Sequence, residues 1–134
     1  MGSLVAWELH QSNMQKRSEF SRVIAKDFFD NHADTLVFRR IDDQLPILKQ
    51  HGGVADEYDL DEYLGQFEQI KNYLDAGALN LRDVIDNYSH YVQSAYYNGE
   101  VRAYIHKIRT DYKDSNYYTN FENLALQMRQ VDRR

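Results

Sequence analysis

The sequence predicts an all-α fold: a single compact bundle of five to six amphipathic helices, with a long N-terminal helix and no sheet. Apolar residues recur every three or four positions along most of the chain, as on one face of a helix. No stretch alternates apolar and polar residues with the period of two that a half-buried strand requires. The 134 residues include one Pro and six Gly, so long stretches are free to be helical.

The size and composition of the chain fit one domain, which we place at residues 4–131. Hydrophobic residues make up 43% and aromatic residues 13% of the chain, which argues against disorder. The absence of Cys excludes a disulfide framework, a thiol nucleophile and a thiolate metal site. Residues 1–3, Met-Gly-Ser, are interpreted as a scar from expression. On that interpretation, the natural N-terminus upstream of Leu4 is missing from the sequence.

The first predicted helix is the longest and runs from Leu4 to Phe29. Its second half has an apolar stripe at helical spacing. The stripe consists of Phe20, Val23, Ile24 and Phe28. In its first half Trp7 and Met14 lie seven residues apart, but polar residues interrupt the heptad pattern, which argues against a coiled coil. We expect this weakly striped front half to pack on a second copy of the chain.

Capping and breaking residues bound the next two helices. The second helix is predicted from Asp34 to Leu45, where Pro46 should end it. Its apolar face consists of Val37, Ile41, Leu45 and Leu48. A loop at His51-Gly52-Gly53 follows. The third helix is predicted from Leu60 to Asp75, with Asp59 as its N-cap and Gly77 as its left-handed stop.

The chain from residue 81 onward divides into three helices. The fourth is predicted from Leu81 to Tyr97, with Asn80 as its cap and a break at Asn98-Gly99. The fifth runs from Glu100 to Tyr112. A turn at residues 114–116 precedes the sixth, which ends near Val131. The sixth helix begins either after Ser115 or at Thr119, whose spacing to Glu122 has the form of a capping box.

Four short patterns in the second half of the chain point to a family. They are Tyr63-Leu64-x-x-Phe67-Glu68, Gly77-x-Leu79, Tyr104-Ile105-x-x-x-Arg109 and Tyr118-x-x-Phe121-Glu122-x-Leu124-Ala125. Through these patterns, which span about half of the chain, the sequence resembles an uncharacterised bacterial family of small helical proteins, a domain of unknown function. Such proteins often carry an N-terminal membrane helix. The resemblance therefore implies a membrane tether in a missing N-terminal segment, and it implies no activity. We expect a cytoplasmic protein that is associated with a membrane only through such a segment.

The same resemblance implies a structural role for three charged residues that lie beside apolar positions. Glu68, Arg109 and Glu122 would form an interhelical ion cluster, with Arg109 between the two carboxylates, because a guanidinium fork can serve two acceptors. Such a cluster would fix the register of the helices more than it would add stability, since desolvation offsets most of the attraction. In the alternative, all three side chains are solvated.

Charge is unevenly distributed along the chain. The formal net charge of -5 argues against a general nucleic-acid coat, so no nucleic-acid partner is expected. Residues 41–100 contain three basic and twelve acidic side chains, whereas residues 101–134 contain seven basic and four acidic ones. The simplest interpretation is that the acidic middle faces the basic ends within one molecule.

A basic ridge on the fifth helix is the most specific feature of the sequence. Its residues recur at spacings of four, three and four and so share one side of a helix. They are Arg102, His106, Arg109 and Lys113. The ridge could bind phosphate, an acidic peptide or a membrane surface, or it could dock on acidic residues of this chain, such as Asp83, Asp86 or Glu100. Because Arg109 cannot easily serve both the ridge and the ion cluster, we assign the ridge to the other three residues.

The sequence offers no strong signal for catalysis or for a metal. The five His residues form no metal-binding pair with a nearby His or Glu, and neither a nucleophile elbow nor a Gly-rich phosphate loop is present. Asp86 and His90, four residues apart, are typical of a surface pair. We therefore predict no catalytic residue, no metal and no cofactor. A cryptic hydrolase or nuclease would need polar groups to converge, with His90 and His106 near each other.

These observations favour a non-catalytic protein-interaction or assembly module, whose partner is another protein or a second copy. We expect the interaction face to combine the front half of the first helix with the ridge and an exposed tyrosine. Its predicted residues are Trp7, Met14, Tyr97, Arg102, His106 and Lys113. In the alternative function, an acidic or phosphate-bearing ligand binds to the ridge.

Overall fold

The computed structural model describes the backbone of residues 2–132 and the side chains of residues 4–131. Within these ranges the chain is an all-α bundle without a sheet, as predicted. Its helices are α1 (Gly2–Asp30), α2 (His32–Asp42), α3 (Glu57–Asp75), α4 (Leu81–Tyr97), α5 (Gly99–Asp111) and α6 (Thr119–Asp132). A 3-10 turn at Lys49–His51 lies between α2 and α3. The scar predicted at residues 1–3 lies outside the described side chains.

The centre of the bundle lies between α3, α4 and α6. α6 packs along both α3 and α4, while α2 covers another side of α3. The apolar positions that recur at helical spacing are the ones buried here, which is why these segments are stable as helices in this context. The largest fully buried side chains include Tyr63, Phe67, Tyr88, Val92, Phe121 and Leu124.

The local caps set most of the predicted helix ends correctly. α4 begins at Leu81 because the Asn80 side chain accepts a hydrogen bond from the Asp83 N–H at 2.8 Å. Gly77 has a φ of 78°, and this left-handed residue stops the helix two residues after the end of α3, as expected. The prediction of Asp59 as the N-cap of α3 is wrong. Asp56 is the N-cap, and the two aspartates form a reciprocal capping box in which Asp59 is the third helical residue.

α2 ends at Asp42, earlier than the predicted Leu45. Pro46 accounts for this, because the residue before a proline is disfavoured in the helical region. The chain turns at Gln44, which has a φ of 57°, and the Leu45 N–H reaches back to the Arg40 carbonyl at 2.8 Å. Leu45 is consequently exposed. Ile47 and the following Leu48 are buried instead, so Leu48 belongs to the core without being part of α2.

The predicted loop at residues 51–53 needs both of its glycines. Gly52 has a φ of 89°, a conformation that side-chain-bearing residues rarely adopt. A Cβ on Gly53 would lie 2.2 Å from the Ile47 carbonyl oxygen. The close contact lets the loop fold back on residues 47–48, which in turn bond to the start of α5.

α5 ends at Asp111 and α6 begins at Thr119, which decides between the two starts that the sequence left open. The predicted capping box does not form. The Thr119 hydroxyl donates to the Asn116 carbonyl at 3.0 Å, and the Glu122 carboxylate pairs with Arg109. The turn between the helices contains Lys113 with a φ of 52°. This ridge residue therefore lies outside the helix on which it was predicted.

Candidate interaction surfaces

The front half of α1, residues 4–19, extends beyond the bundle. α1 has 29 residues, which is about 43 Å at 1.5 Å per residue. All described side chains from residue 4 to residue 19 are exposed. Packing begins at Phe20, whose ring meets Tyr73 edge-on with centroids 4.9 Å apart. It continues to Phe28, which is 4% exposed and contacts rings of α3 and α4. The projecting segment is therefore about 24 Å long, and its last residues border the bundle only at a groove beside Gly77 and Ala78.

Trp7 and Met14, both predicted in the interface, lie on this projecting segment and are 59% and 48% exposed. Ser21 and Phe28 follow them at intervals of seven residues and are buried. Residues seven apart lie close to one line along a helix. One side of α1 is therefore covered by the bundle in its second half and left uncovered in its first half.

Two of the three ridge residues, Arg102 and His106, line a hollow of about 260 Å³ between α4, α5 and α6. Arg102, His106 and Arg109 contribute from α5, and Tyr96, Phe121 and Glu122 contribute from the two other helices. Lys113 is not among the lining residues. Arg102 and His106 therefore share one side of α5, whereas Lys113 lies two residues beyond its end, and a binding role for these residues stays a prediction.

Tyr97 lies beside the ridge residue Arg102 and not beside α1. It is 50% exposed. The Arg102 guanidinium carbon lies 5.1 Å from the Tyr96 ring centroid and 5.6 Å from that of Tyr97. At these distances the cation is attracted to the faces of both rings. The exposed tyrosine therefore extends the ridge at the C-terminal end of α4.

The predicted interaction face consists of two separate surfaces. The front half of α1 leaves the bundle beside Gly77 and Ala78, which share a groove with Arg17 and immediately precede α4. The ridge hollow lies at the other end of α4, beside Tyr96. α4 has 17 residues and is about 25 Å long. A single face that joins Trp7 and Met14 to the ridge is therefore wrong.

Two of the three acidic residues considered as internal partners of the ridge, Glu100 and Asp86, are engaged elsewhere. Glu100 accepts hydrogen bonds from the N–H groups of Ile47 and Leu48, at 2.7 and 2.9 Å, and lies 2.7 Å from His51 Nδ1. Asp86 pairs with Arg82 at 3.5 Å. Among the ion pairs of the described residues, none joins the ridge to the acidic middle of the chain. Within the described residues the ridge therefore has no ion-pair partner in the acidic middle of this chain and is available to bind another molecule.

The predicted ion cluster is correct for one of its two pairs. The Arg109 guanidinium pairs with the Glu122 carboxylate and also donates from Nε to the Tyr117 carbonyl at 2.9 Å. Glu68 instead accepts the Phe121 N–H at 2.5 Å. Burial raises the pKa of Glu68, and this effect outweighs the lowering by the main-chain N–H groups of Phe121 and Tyr118 and by the Arg109 charge. Glu68 therefore caps α6 and interacts with Arg109 only through its charge.

A buried carboxyl group on α2 was missed in the sequence. Asp34 is 2% exposed, and within the described residues neither of its carboxylate oxygens has a hydrogen-bond partner. Desolvation raises its pKa to about 7, with the Gln66 amide lowering it and the Glu62 charge raising it further. A signal for its position was available: Asp34, Val37 and Ile41 are spaced three and four apart, which places Asp34 on the buried face.

The histidines considered for hydrolysis lie in different surroundings. His90 Nε2 lies 3.1 Å from Asp42 Oδ1 on α2, so the expected surface pair with Asp86 does not form. His106 lines the ridge hollow beside α6. The described residues contain no group of three or more His, Asp or Glu side chains placed to hold a metal ion. Over residues 2–132, none of the helices combines the length and the apolar character needed to cross a bilayer.

Comparison of the chain with known proteins gives no match to a family model, to a curated protein or to a solved structure. The resemblance of the second half to an uncharacterised bacterial family therefore stays a prediction.

Proposed function

We propose that the chain is a non-catalytic assembly module that pairs with a second copy of itself through the front half of α1. The observation that carries this proposal is the line of residues from Trp7 to Phe28. Its second half is buried in the bundle, and its first half presents an exposed Trp and Met. Removing such apolar surface from water favours association. A partner on the front half would continue an interface that the bundle already makes.

The charge of the front half favours a second copy over a strongly charged partner. Residues 4–19 contain two acidic side chains, Glu8 and Glu19, and two basic ones, Lys16 and Arg17. The formal charge of the segment is zero with His10 neutral. The two front halves therefore do not repel each other, and an acidic or basic partner gains no long-range attraction to this segment.

An antiparallel arrangement fits the spacing of the side chains. When two α1 segments run in opposite directions about a two-fold axis near residue 11, Trp7 of each copy faces Met14 of the other, and Leu4 faces the small Ser18. Each contact then occurs twice, as in an isologous interface. Thioether sulfur packs favourably against an aromatic ring. This arrangement also places the two bundles at opposite ends of the helix pair.

The oligomeric state tests this proposal. Sedimentation equilibrium should give twice the 15.9 kDa mass of one chain. Trp7→Glu should give a single chain with an unchanged circular dichroism spectrum, because the substitution lies outside the bundle. Tyr58→Glu is the matched control: this ring is also exposed but lies on α3, so its dimer should persist. A monomeric wild-type chain, or a Trp7→Glu variant that remains dimeric, would overturn the proposal.

Engineered disulfides test the orientation, since the chain has no Cys of its own. In the antiparallel pair, Leu4→Cys should cross-link to Ser18→Cys when the two variants are mixed and oxidised. Leu4→Cys alone should cross-link poorly. The reverse pattern would establish a parallel pair and contradict the arrangement proposed here.

A further inference from the structure

The ridge hollow has the features of a binding site for an anion. Arg102, His106 and Arg109 lie four and three residues apart on α5, and all three line the same cavity of about 260 Å³. The apolar part of the lining consists of Ile105 on the same helix, Phe121 on α6 and the Tyr96 ring on α4, and of these only Tyr96 is more than slightly exposed. The hollow thus combines three nitrogen donors with the Tyr96 ring as a surface for an organic group.

Both arginines of the hollow are held in place by the main chain. Arg102 Nε donates to the Tyr96 carbonyl at 2.8 Å, and Arg109 Nε donates to the Tyr117 carbonyl at 2.9 Å. The Tyr96 and Tyr97 rings further restrict the Arg102 guanidinium. A ligand that binds here therefore pays less of the entropy normally lost in ordering two long side chains.

The charge of the hollow is positive. Glu122 neutralises Arg109, but one pairing with that carboxylate leaves several N–H groups of the Arg109 fork available. Within the described part of the chain, no carboxylate pairs with Arg102 or His106. One full positive charge and donors from three side chains are thus presented to the cavity.

We propose that this hollow binds a phosphate monoester that carries an apolar or aromatic group. The three phosphate oxygens match donors from Arg102, His106 and Arg109, and guanidinium forks fit phosphate geometry. A carboxylate carries a single negative charge, whereas a phosphate monoester carries nearly two near pH 7, so the positive hollow favours the phosphate. The organic group lies against the Tyr96 ring. This site is independent of the α1 surface and of the assembly proposed for it.

Isothermal titration calorimetry with phenyl phosphate tests the site. The wild-type chain should bind it, and Arg102→Gln and His106→Ala should each weaken binding by at least about tenfold, as expected for loss of a hydrogen bond to a charged group. Arg102→Lys should also weaken binding, because it keeps the charge and loses the fork. Arg82→Gln is the matched control: Arg82 is exposed on α4 and outside the hollow, so its variant should bind like the wild type.

Two further ligands define the class. Benzoate, with the same ring and a carboxylate, should bind more weakly than phenyl phosphate, and inorganic phosphate should also bind more weakly. Equal binding of benzoate would overturn the phosphate assignment, and equal binding of inorganic phosphate would overturn the organic subsite. The absence of phenyl phosphate binding, or an equal loss in Arg82→Gln, would overturn the site itself. Trp7→Glu, which should disrupt the proposed dimer, should still bind phenyl phosphate in the hollow. Loss of ligand binding can therefore be distinguished from loss of assembly.

Discussion

The Glu68 carboxylate of α3 accepts a hydrogen bond of 2.5 Å from the main-chain N–H of Phe121, 53 residues later in the first turn of α6. The first N–H groups of a helix have no partner within it. A carboxylate here also interacts favourably with the positive end of the helix. α3 thus caps α6 and fixes its register, so that the Phe121 ring packs at 5.7 Å from the ring of the neighbouring Phe67.

Removing this cap should destabilise the bundle. We expect Glu68→Ala to lower the free energy of unfolding by about 1–2 kcal/mol, as for other lost helix caps. Glu68→Gln keeps an acceptor oxygen for the Phe121 N–H. It also removes a carboxylate whose charged form is disfavoured by burial, as the raised pKa of Glu68 shows. This variant should therefore lose less than about 0.5 kcal/mol of unfolding free energy. Urea unfolding at pH 7 measures both variants.

The exposed neighbour Gln69 provides a control on the same helix. Gln69→Ala should leave the urea midpoint close to that of the wild type. Equal losses in Glu68→Ala and Glu68→Gln would show that the interaction depends on the charge of Glu68 and would contradict the capping role.

Glu100 ties the start of α5 to the loop after α2. Burial alone would raise its pKa, but hydrogen bonds from His51 and from the N–H groups of Ile47 and Leu48 outweigh this, so the pKa is lowered below 4.5. A lowered carboxyl pKa contributes stability that is fully present above the ordinary value and is lost as the pH falls through the lowered one.

Glu100→Gln should therefore reduce the free energy of unfolding by about 1–2 kcal/mol at pH 7, since the group is partly screened by solvent. The difference from the wild type should shrink as the pH falls below the ordinary glutamate value and through the lowered pKa of Glu100, below which both side chains are neutral. Urea unfolding of the two proteins across this pH range measures the effect. A difference that does not change with pH would show that the charge of Glu100 is not involved.

The sequence predicted the helices best where their boundaries are local. Both ends of α4 follow from Asn80 and Asn98, whose side chains cap the helices next to them. The start of α3 was misplaced because Asp56 and Asp59 are both good caps. The choice between them depends on the path of the preceding loop. That path is held by Glu100, more than 40 residues away, and such long-range contacts leave no periodic signal.

The candidate surfaces were predictable to a similar extent. Periodicity showed that Arg102 and His106 share one side of α5, and the weak apolar stripe indicated an uncovered segment around Trp7. Periodicity within a helix does not show which helix faces it, so the sequence could not separate the two surfaces. The ion cluster failed at Glu68 for the same reason: its partner depends on the start of α6, which follows a turn with Tyr118 at a φ of 65°.

Phe28 attaches α1 to the bundle. Its ring centroid lies 5.6 Å from that of Phe67 and 5.4 Å from those of Tyr88 and Tyr91. We expect Phe28→Ala to lower the free energy of unfolding by about 3–4 kcal/mol, as for other large core truncations. Phe29→Ala is the control at the next, more exposed position and should cost about 1 kcal/mol. Thermal unfolding monitored by circular dichroism measures both. A loss for Phe28→Ala no larger than that for Phe29→Ala would show that α1 is not anchored at Phe28.

The buried Asp34 makes the stability of the bundle depend on pH near neutrality. Its pKa is raised from 3.8 to about 7, chiefly by desolvation, while Gln66 offsets part of this effect and Glu62 adds to it. A carboxyl group whose folded pKa is raised binds its proton more tightly in the folded state. Folding is therefore favoured while Asp34 is neutral. The stability of the wild type should fall as the pH rises from about 4 to about 7 and then level off.

Asp34→Asn removes this dependence because an amide of nearly the same shape carries no charge. The change in pKa corresponds to about 4 kcal/mol, so the variant should be more stable than the wild type at pH 8 by up to that amount. Near pH 4 both side chains are neutral and the two proteins should be nearly equal in stability. Chemical denaturation of both proteins between pH 4 and pH 8 measures the difference directly, and groups that titrate alike in the two proteins cancel from it. A difference as large at pH 5 as at pH 8 would mean that Asp34 is already ionised in the folded bundle at pH 5, with a counter-charge or water that compensates its burial.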